Sequence, residues 1–189
     1  MLYYYWVNKM YTLEEKAIKF VIKAFENKKR IKEDINLSFH SISVGFMLKD
    51  LGCDTETVVS GFLHDIIEDT DYDYEYIKEN FGENIANNVL KVSENKNIID
   101  WKERKQVFIE NLSHQEEYII LIELADKLHN LLSDYHLWVE KGNLGLATLK
   151  TTYEDNKWYY LEMKKIFNQN LSDNYLLKRY NEICNLYFK

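Results

Sequence analysis

The stretch GFLHDIIEDT, residues 61–70, sets four ionisable side chains, His64, Asp65, Glu68 and Asp69, beside Phe62, Leu63, Ile66 and Ile67. Read as a helix, it stacks His64 over Glu68 and Asp65 over Asp69, because residues four apart share a face. The helix is expected to fray near Thr70, which lets Glu68 and Asp69 line a cavity. Two more polar groups fall on apolar helical stripes: His40, between Leu37 and Val44, and Asp126, in LIELADKLHNLL with Asn130 one turn on. Singly, each has an ordinary structural explanation: a hydrogen-bonded core histidine, an aspartate paired with Lys127 or Arg104, a solvated helix end. Jointly that account weakens, because neighbouring carboxylates repel and an ionised carboxylate is expensive to bury unpaired. A divalent cation offsets the cost, with oxygen and imidazole ligands at about 2.0–2.3 Å. Two imidazoles and two carboxylates, with positions left open for water, describe a catalytic metal site. The absence of cysteine ligands favours Mn²⁺, Fe²⁺ or Zn²⁺ over a thiolate site.

Such side chains need rigid elements to carry them, and the chain reads as helical throughout. It has no proline and six glycines in 189 residues, which suits helices better than strands and tight turns. Leu13, Ala17, Val21 and Ala24/Phe25 recur at helical spacing, as do Leu37, His40, Val44, Met47/Leu48 and Leu51. Asp54 is placed as the N-cap of a helix carrying Val58, Val59, Phe62, Leu63 and Ile66. Another helix follows Gly82, a further one spans Trp101 to Leu112, and residues 116–132 are apolar on nearly every side, as in the middle helix of a bundle. Two long helices, roughly 145–168 and 172–187, finish the chain. Strand-like alternation, linkers, repeats and low-complexity blocks are absent. The expectation is an all-α, single-domain helical bundle over residues 1–189.

The formal net charge of −7 argues against broad nucleic-acid binding, which needs a basic surface. A phosphate-bearing ligand then needs a metal or a local basic patch, and KKRIK (28–32), just ahead of His40, supplies one in Lys29, Arg30 and Lys32. Cys53 and Cys184 form neither a metal spacing nor a disulfide framework, so the expected compartment is a reducing cytoplasm. The aromatic start, MLYYYWVNKM, lacks a small-residue cleavage site and reads as a docked segment or a homo-oligomer contact. The apolar run YIILIELA (118–125) is far too short to cross a bilayer, so no membrane association is expected.

The order of a first histidine, an adjacent His-Asp pair and a distant aspartate resembles the HD superfamily of metal-dependent phosphohydrolases. More narrowly, FLHDIIEDT, IKENFGENIANNVLKVSENK, WKERK and LIELADKLHNL, in that order, resemble the alarmone hydrolase domain of RelA/SpoT homologues, particularly the small hydrolase-only members. The similarity covers about residues 13–135. It implies His40, His64, Asp65 and Asp126 as Mn²⁺ ligands, Glu68 and Asp69 as the pair that positions and activates water, and Asn130 as a nucleotide contact. It further implies removal of pyrophosphate from the 3′ position of ppGpp and pppGpp. The basic stretch at 28–32 matches a basic pair that contacts the nucleotide in the family. Two positions depart from the usual Tyr-Ile-x-His-Pro pattern: Leu37 stands at the tyrosine and Ser41 at the proline, and the arginine often found after His-Asn is missing from HNLLSDY. These departures bear on the purine, so a second reading is an HD phosphohydrolase for an adenosine alarmone, NADPH or a nucleoside monophosphate. A third, from another class, is a catalytically silent nucleotide sensor. The residues after about 140 leave no room for a synthetase domain, so alarmone synthesis is not expected.

Overall fold

A computed structural model describes residues 11–30, 33–142 and 151–189. In chain order its elements are α1 (Leu13–Ala24), β1 (Lys29–Arg30), β2 (Ile35–Asn36), α2 (Ser38–Asp50), α3 (Thr55–Leu63), α4 (Ile66–Asp69), α5 (Tyr74–Phe81), α6 (Glu83–Lys91), α7 (Trp101–Leu112), α8 (Glu117–Lys141), α9 (Tyr153–Asn170) and α10 (Tyr175–Tyr187). The fold is all-α apart from the small antiparallel pair β1–β2.

Helix starts are written locally. Thr12 closes a capping box with Glu15 on α1, and Asp54, Asp73, Asp100, Thr152 and Asn174 each accept a backbone N–H at the start of α3, α5, α7, α9 and α10. Each such cap satisfies a donor the helix cannot use itself, for about 1 kcal/mol. Helix α8 is the axis. It buries Ile119, Ile120, Ile122, Leu124, Ala125, Leu128 and Leu131, and it packs against α2, α3, α9 and α10. Helix α3 is covered by α1, α2 and α6. No described helix is long and apolar enough to cross a membrane.

Three differences from the sequence reading have physical causes. The β1–β2 hairpin, inside the stretch read as a local basic patch, is too short to show alternation; it turns at Asp34, whose φ of 52° lies in the left-handed region. Helix α8 runs nine residues past Leu132, to Lys141, because the side facing α9 and α10 continues through Ser133, Asp134 and Leu137. The helix expected through HDIIEDT is interrupted at His64–Asp65, where Asp65 adopts φ −89° and ψ −2°. Adjacent residues on a regular helix point about 100° apart; the turn brings the two side chains to one centre. The start of the expected helix at 145–150 and the aromatic N-terminus lie outside the described residues.

The close approach of α2 and α3 depends on two glycines. A methyl at Gly45 would overlap the Phe62 ring, whereas one at Gly61 would overlap Cδ1 at the flexible end of Leu48 and touch the Gly45 backbone at ordinary contact distance. Overpacking costs about 1–3 kcal/mol, against a helix-propensity gain of up to about 1 kcal/mol for Gly→Ala. Gly45→Ala is therefore expected to lower stability by about 2 kcal/mol and Gly61→Ala by clearly less, as read by urea unfolding. The reverse order would show that the Phe62 ring does not set this crossing.

Candidate metal centre

Four donors converge where α2, the α3–α4 turn and α8 meet. His40 Nε2 lies 3.0 Å from Asp126 Oδ1, 3.5 Å from Asp65 Oδ2 and 3.2 Å from His64 Nε2. His64 Nε2 lies 3.2 Å from Asp65 Oδ2 and 3.6 Å from Asp126 Oδ1. His40, His64 and Asp126 are buried, while the Asp65 side chain is 21% exposed and marks the open side. His40, His64 and Asp65 each offer an atom at ion-binding separation.

The outer contacts aim these donors inward. His64 Nδ1 lies 2.8 Å from the Gly61 carbonyl, so it is the protonated nitrogen and Nε2 faces the carboxylates. His40 Nδ1 lies 2.9 Å from His129 Nδ1. With His40 donating, its Nε2 lone pair also turns to the centre. Burial, then the charges of His40 and Arg30, push the His129 pKa down to about 4, so His129 is a neutral acceptor. Asp126 is gripped twice: Lys127 donates to Oδ2 at 2.6 Å and Asn130 to Oδ1 at 2.6 Å.

The electrostatics test whether a cation fits. Burial works against charge on His64, yet the carboxylates of Asp65 and Asp126 hold its pKa well above the usual imidazole value. Burial likewise opposes ionised Asp126, but Lys127 and the two imidazoles hold it well below the carboxylate range. The cluster thus keeps its acids ionised and draws positive charge to itself. Two carboxylate oxygens and two imidazole nitrogens, set by outer hydrogen bonds, form a donor set suited to a divalent cation.

Glu68 and Asp69 occupy the short α4 beside this centre. Glu68 accepts the Glu94 backbone N–H at 2.9 Å, and Lys96 Nζ reaches both the Glu68 carbonyl, at 2.5 Å, and Asp69 Oδ1, at 3.2 Å. Burial, reinforced by Asp65, raises the Glu68 pKa although the Glu94 N–H opposes it. The basic stretch divides. Lys29 pairs with Asp34 on the surface, whereas Arg30 is buried and donates to Glu33 at 2.7 Å and to Ser133 at 2.8 Å, one turn along α8 from His129. Lys32 lies outside the described residues.

From the sequence His129, beside Asn130, reads as packing or as a residue that orients a ligand, and Lys96 is not singled out. His129 stands three residues after Asp126 on one helical face, a spacing that could have flagged it. Nothing in the spacing of Lys96 announces its reach to α4. A further group is internal: both Glu123 carboxylate oxygens and the Tyr159 hydroxyl are buried without a hydrogen-bond partner, although Lys127 Nζ lies 3.3 Å from Glu123 Oε2.

An all-α bundle that brings a histidine, a His-Asp pair and a later aspartate together has the architecture of an HD domain. The model of that family, described as HD domain, matches residues 17–139, and the chain belongs to it. The chain is 34% identical over 117 residues to guanosine-3′,5′-bis(diphosphate) 3′-pyrophosphohydrolase of Aquifex aeolicus, an alignment covering 61% of this chain and 16% of that protein. It is 36% identical over 94 residues to the enzyme of the same name from Drosophila melanogaster, covering 49% of this chain and 52% of that one. The chain thus corresponds to part of each. A solved metazoan orthologue of SpoT, described as hydrolysing ppGpp and acting in starvation responses, superposes with a TM-score of 0.77 at 26% identity, over 93% of this chain and 96% of that one.

Two expectations follow. Removing an outer-shell partner typically weakens metal binding about 10–100-fold, so His129→Ala should reduce Mn²⁺ affinity by that factor in titration calorimetry. Wild-type affinity would show that His40 is oriented without it. Burial, only partly offset by Lys127, raises the Glu123 pKa from an ordinary 4.5 to about 7. A carboxylate whose folded pKa is raised costs stability as pH climbs from the unfolded value through the folded one, and the full cost persists above it. Glu123→Gln should therefore raise the melting temperature by several degrees at pH 8, on the order of 2–3 kcal/mol, and leave it nearly unchanged at pH 4.5. An equal shift at both pH values would mean that the carboxylate charge is not what the fold resists.

Proposed function

We propose that the chain is a Mn²⁺-dependent hydrolase that removes the 3′-pyrophosphate of ppGpp and pppGpp, returning GDP or GTP and pyrophosphate. One observation carries this reading. The converging His40, His64, Asp65 and Asp126, with Glu68 and Asp69 alongside, lie in a chain that superposes along nearly its whole length on a protein described as a ppGpp hydrolase. The reading takes residues 1–189 as one HD hydrolase domain in the cytoplasm, and the packing of α9 and α10 on α8 supports its extension past residue 139.

The roles follow from position. His40, His64, Asp65 and Asp126 hold the divalent ion, which when bound lowers the pKa of water and steadies charge on phosphoryl oxygens. Glu68, made more basic by burial and anchored by the Glu94 N–H, accepts the water's proton as the oxygen attacks phosphorus. The bond between that phosphorus and the ribose 3′-oxygen breaks, the oxygen takes up a proton, and pyrophosphate leaves. Asp69, tied to Lys96, orients the water. Asn130 gives its amide N–H to Asp126 and is only partly buried, which suits it to meet the nucleotide as well. Lys29, Arg30 and Lys32 are the basic source for the phosphates; Lys29 is free of the core, while Arg30 braces the hairpin against α8.

Incubation with ppGpp and Mn²⁺ should release inorganic pyrophosphate. Asp65→Asn should lose metal and activity together, and Glu68→Gln should keep the metal while turnover falls by about 10²-fold or more. Orthophosphate from a nucleoside monophosphate, with ppGpp untouched, would transfer the site to the second reading. Nucleotide binding with no turnover of any substrate would make the protein a sensor.

A further inference from the structure

The first turn of α2 carries a ring that none of this chemistry uses. Phe39, next to the donor His40, is 51% exposed. It meets His129 edge-on with ring centroids 5.6 Å apart, and the His129 ring lies 4.9 Å from that of His40. Phe39 therefore stands two ring contacts from the donor cluster, outside His129, with one face unclaimed by the core. The partly buried Asn130 follows His129 directly on α8, and Arg30 reaches Ser133 one turn further on. The apolar ring thus stands beside the stretch of α8 that also carries an amide bound to the donor Asp126 and receives a guanidinium at Ser133.

The other large exposed ring on α2 differs. Phe46 is 46% exposed but rests edge-on against Phe62 of the core, nearly two turns away, and makes no ring contact with the site. What sets Phe39 apart is its place beside the donors. A ligand with charge at one end and a flat apolar ring at the other suits this arrangement, because aromatic side chains stack on any nucleobase through its π-face.

We propose that Phe39 is the platform on which the substrate's purine base stacks while the 3′-pyrophosphate lies at the metal centre. The inference rests on the nucleotide-hydrolase reading and deepens it by naming the residue that holds the base. Stacking on Phe39 contributes to binding and leaves the reacting atoms alone, so its loss belongs in KM.

The test compares Phe39→Ala, Phe39→Leu and Phe39→Trp with the wild type on ppGpp and Mn²⁺, using inorganic pyrophosphate as a base-free competitive inhibitor. Alanine and leucine should each raise KM about tenfold with kcat within about twofold, and tryptophan should restore wild-type KM. The inhibition constant of pyrophosphate should be the same in all four proteins. Leucine keeps an apolar contact on His129 without a π-face, so wild-type KM in Phe39→Leu would reduce Phe39 to packing and overturn the proposal. An inhibition constant that rises with KM would overturn it too, by placing the effect at the metal centre. Wild type releasing no pyrophosphate overturns the hydrolase reading, and the purine platform with it; wild type active with unchanged KM in Phe39→Ala overturns the stacking alone.

Discussion

Burying Asp126 as an anion in the most apolar helix of the bundle is the constraint around which the site is arranged. An uncompensated buried charge costs several kcal/mol, so every polar atom near Asp126 is recruited to it. Lys127 takes one oxygen and Asn130 the other, which also faces His40 Nε2 at 3.0 Å. Lys127 then has to be compensated in turn. Its side chain is only 13% exposed, Asp126 and Glu123 together hold its pKa well above the ordinary lysine value against desolvation, and its ammonium lies over the rings of Phe108 and Tyr159. The negative charge needed beside the imidazoles is kept ionised by a cation directed away from them, which leaves the inward side open to a second cation.

The same compensation extends through α7 to the acidic pair. Lys105 lies over the Tyr159 ring and binds Glu94, whose carboxylate also takes Arg104 at 3.0 Å. Glu94 is thereby fixed, and its backbone N–H is the group that anchors Glu68. WKERK, which enters the sequence reading only as part of a resemblance, acquires a physical role: two of its basic side chains clamp the residue whose amide aims the carboxylate. Lys127 and Lys105, both set over the Tyr159 ring, are compensated separately, the first by Asp126 and Glu123 and the second by Glu94, and the Glu94 backbone amide anchors Glu68.

Much of the scaffold was legible because its signals are local. Asp54 announces its helix by capping it, and the apolar run from residue 118 announces α8 by lacking a polar face. His40, His64, Asp65 and Asp126, polar groups set among apolar neighbours in the sequence, lie near one another in the fold. What escaped depends on distant contacts. The His64–Asp65 turn is set by what the two side chains reach across the bundle, and helical periodicity carries no trace of it. Lys96 acts on α4, 27 residues earlier in the chain than its own position. The β1–β2 hairpin follows from one left-handed residue and from Arg30 reaching α8, neither of which a count of basic residues reveals.

The departures around the first histidine acquire a direction once the helix is in place. Leu37 is half-buried against the core and Ser41 is fully buried, so both unusual positions turn away from the open side of the centre. Phe39, between them, turns outward. A change confined to the buried side of α2 alters how the helix seats against α3 and α8, and with it the angle at which His40 enters the cluster. Each carboxylate nevertheless lies within 3.6 Å of both imidazoles, which means that the seating accommodates leucine and serine without dispersing the donors. The chemistry of the centre is thus insulated from this segment by packing. A ligand at the open side meets instead the side chains that leave the core, and in this turn of α2 that side chain is Phe39.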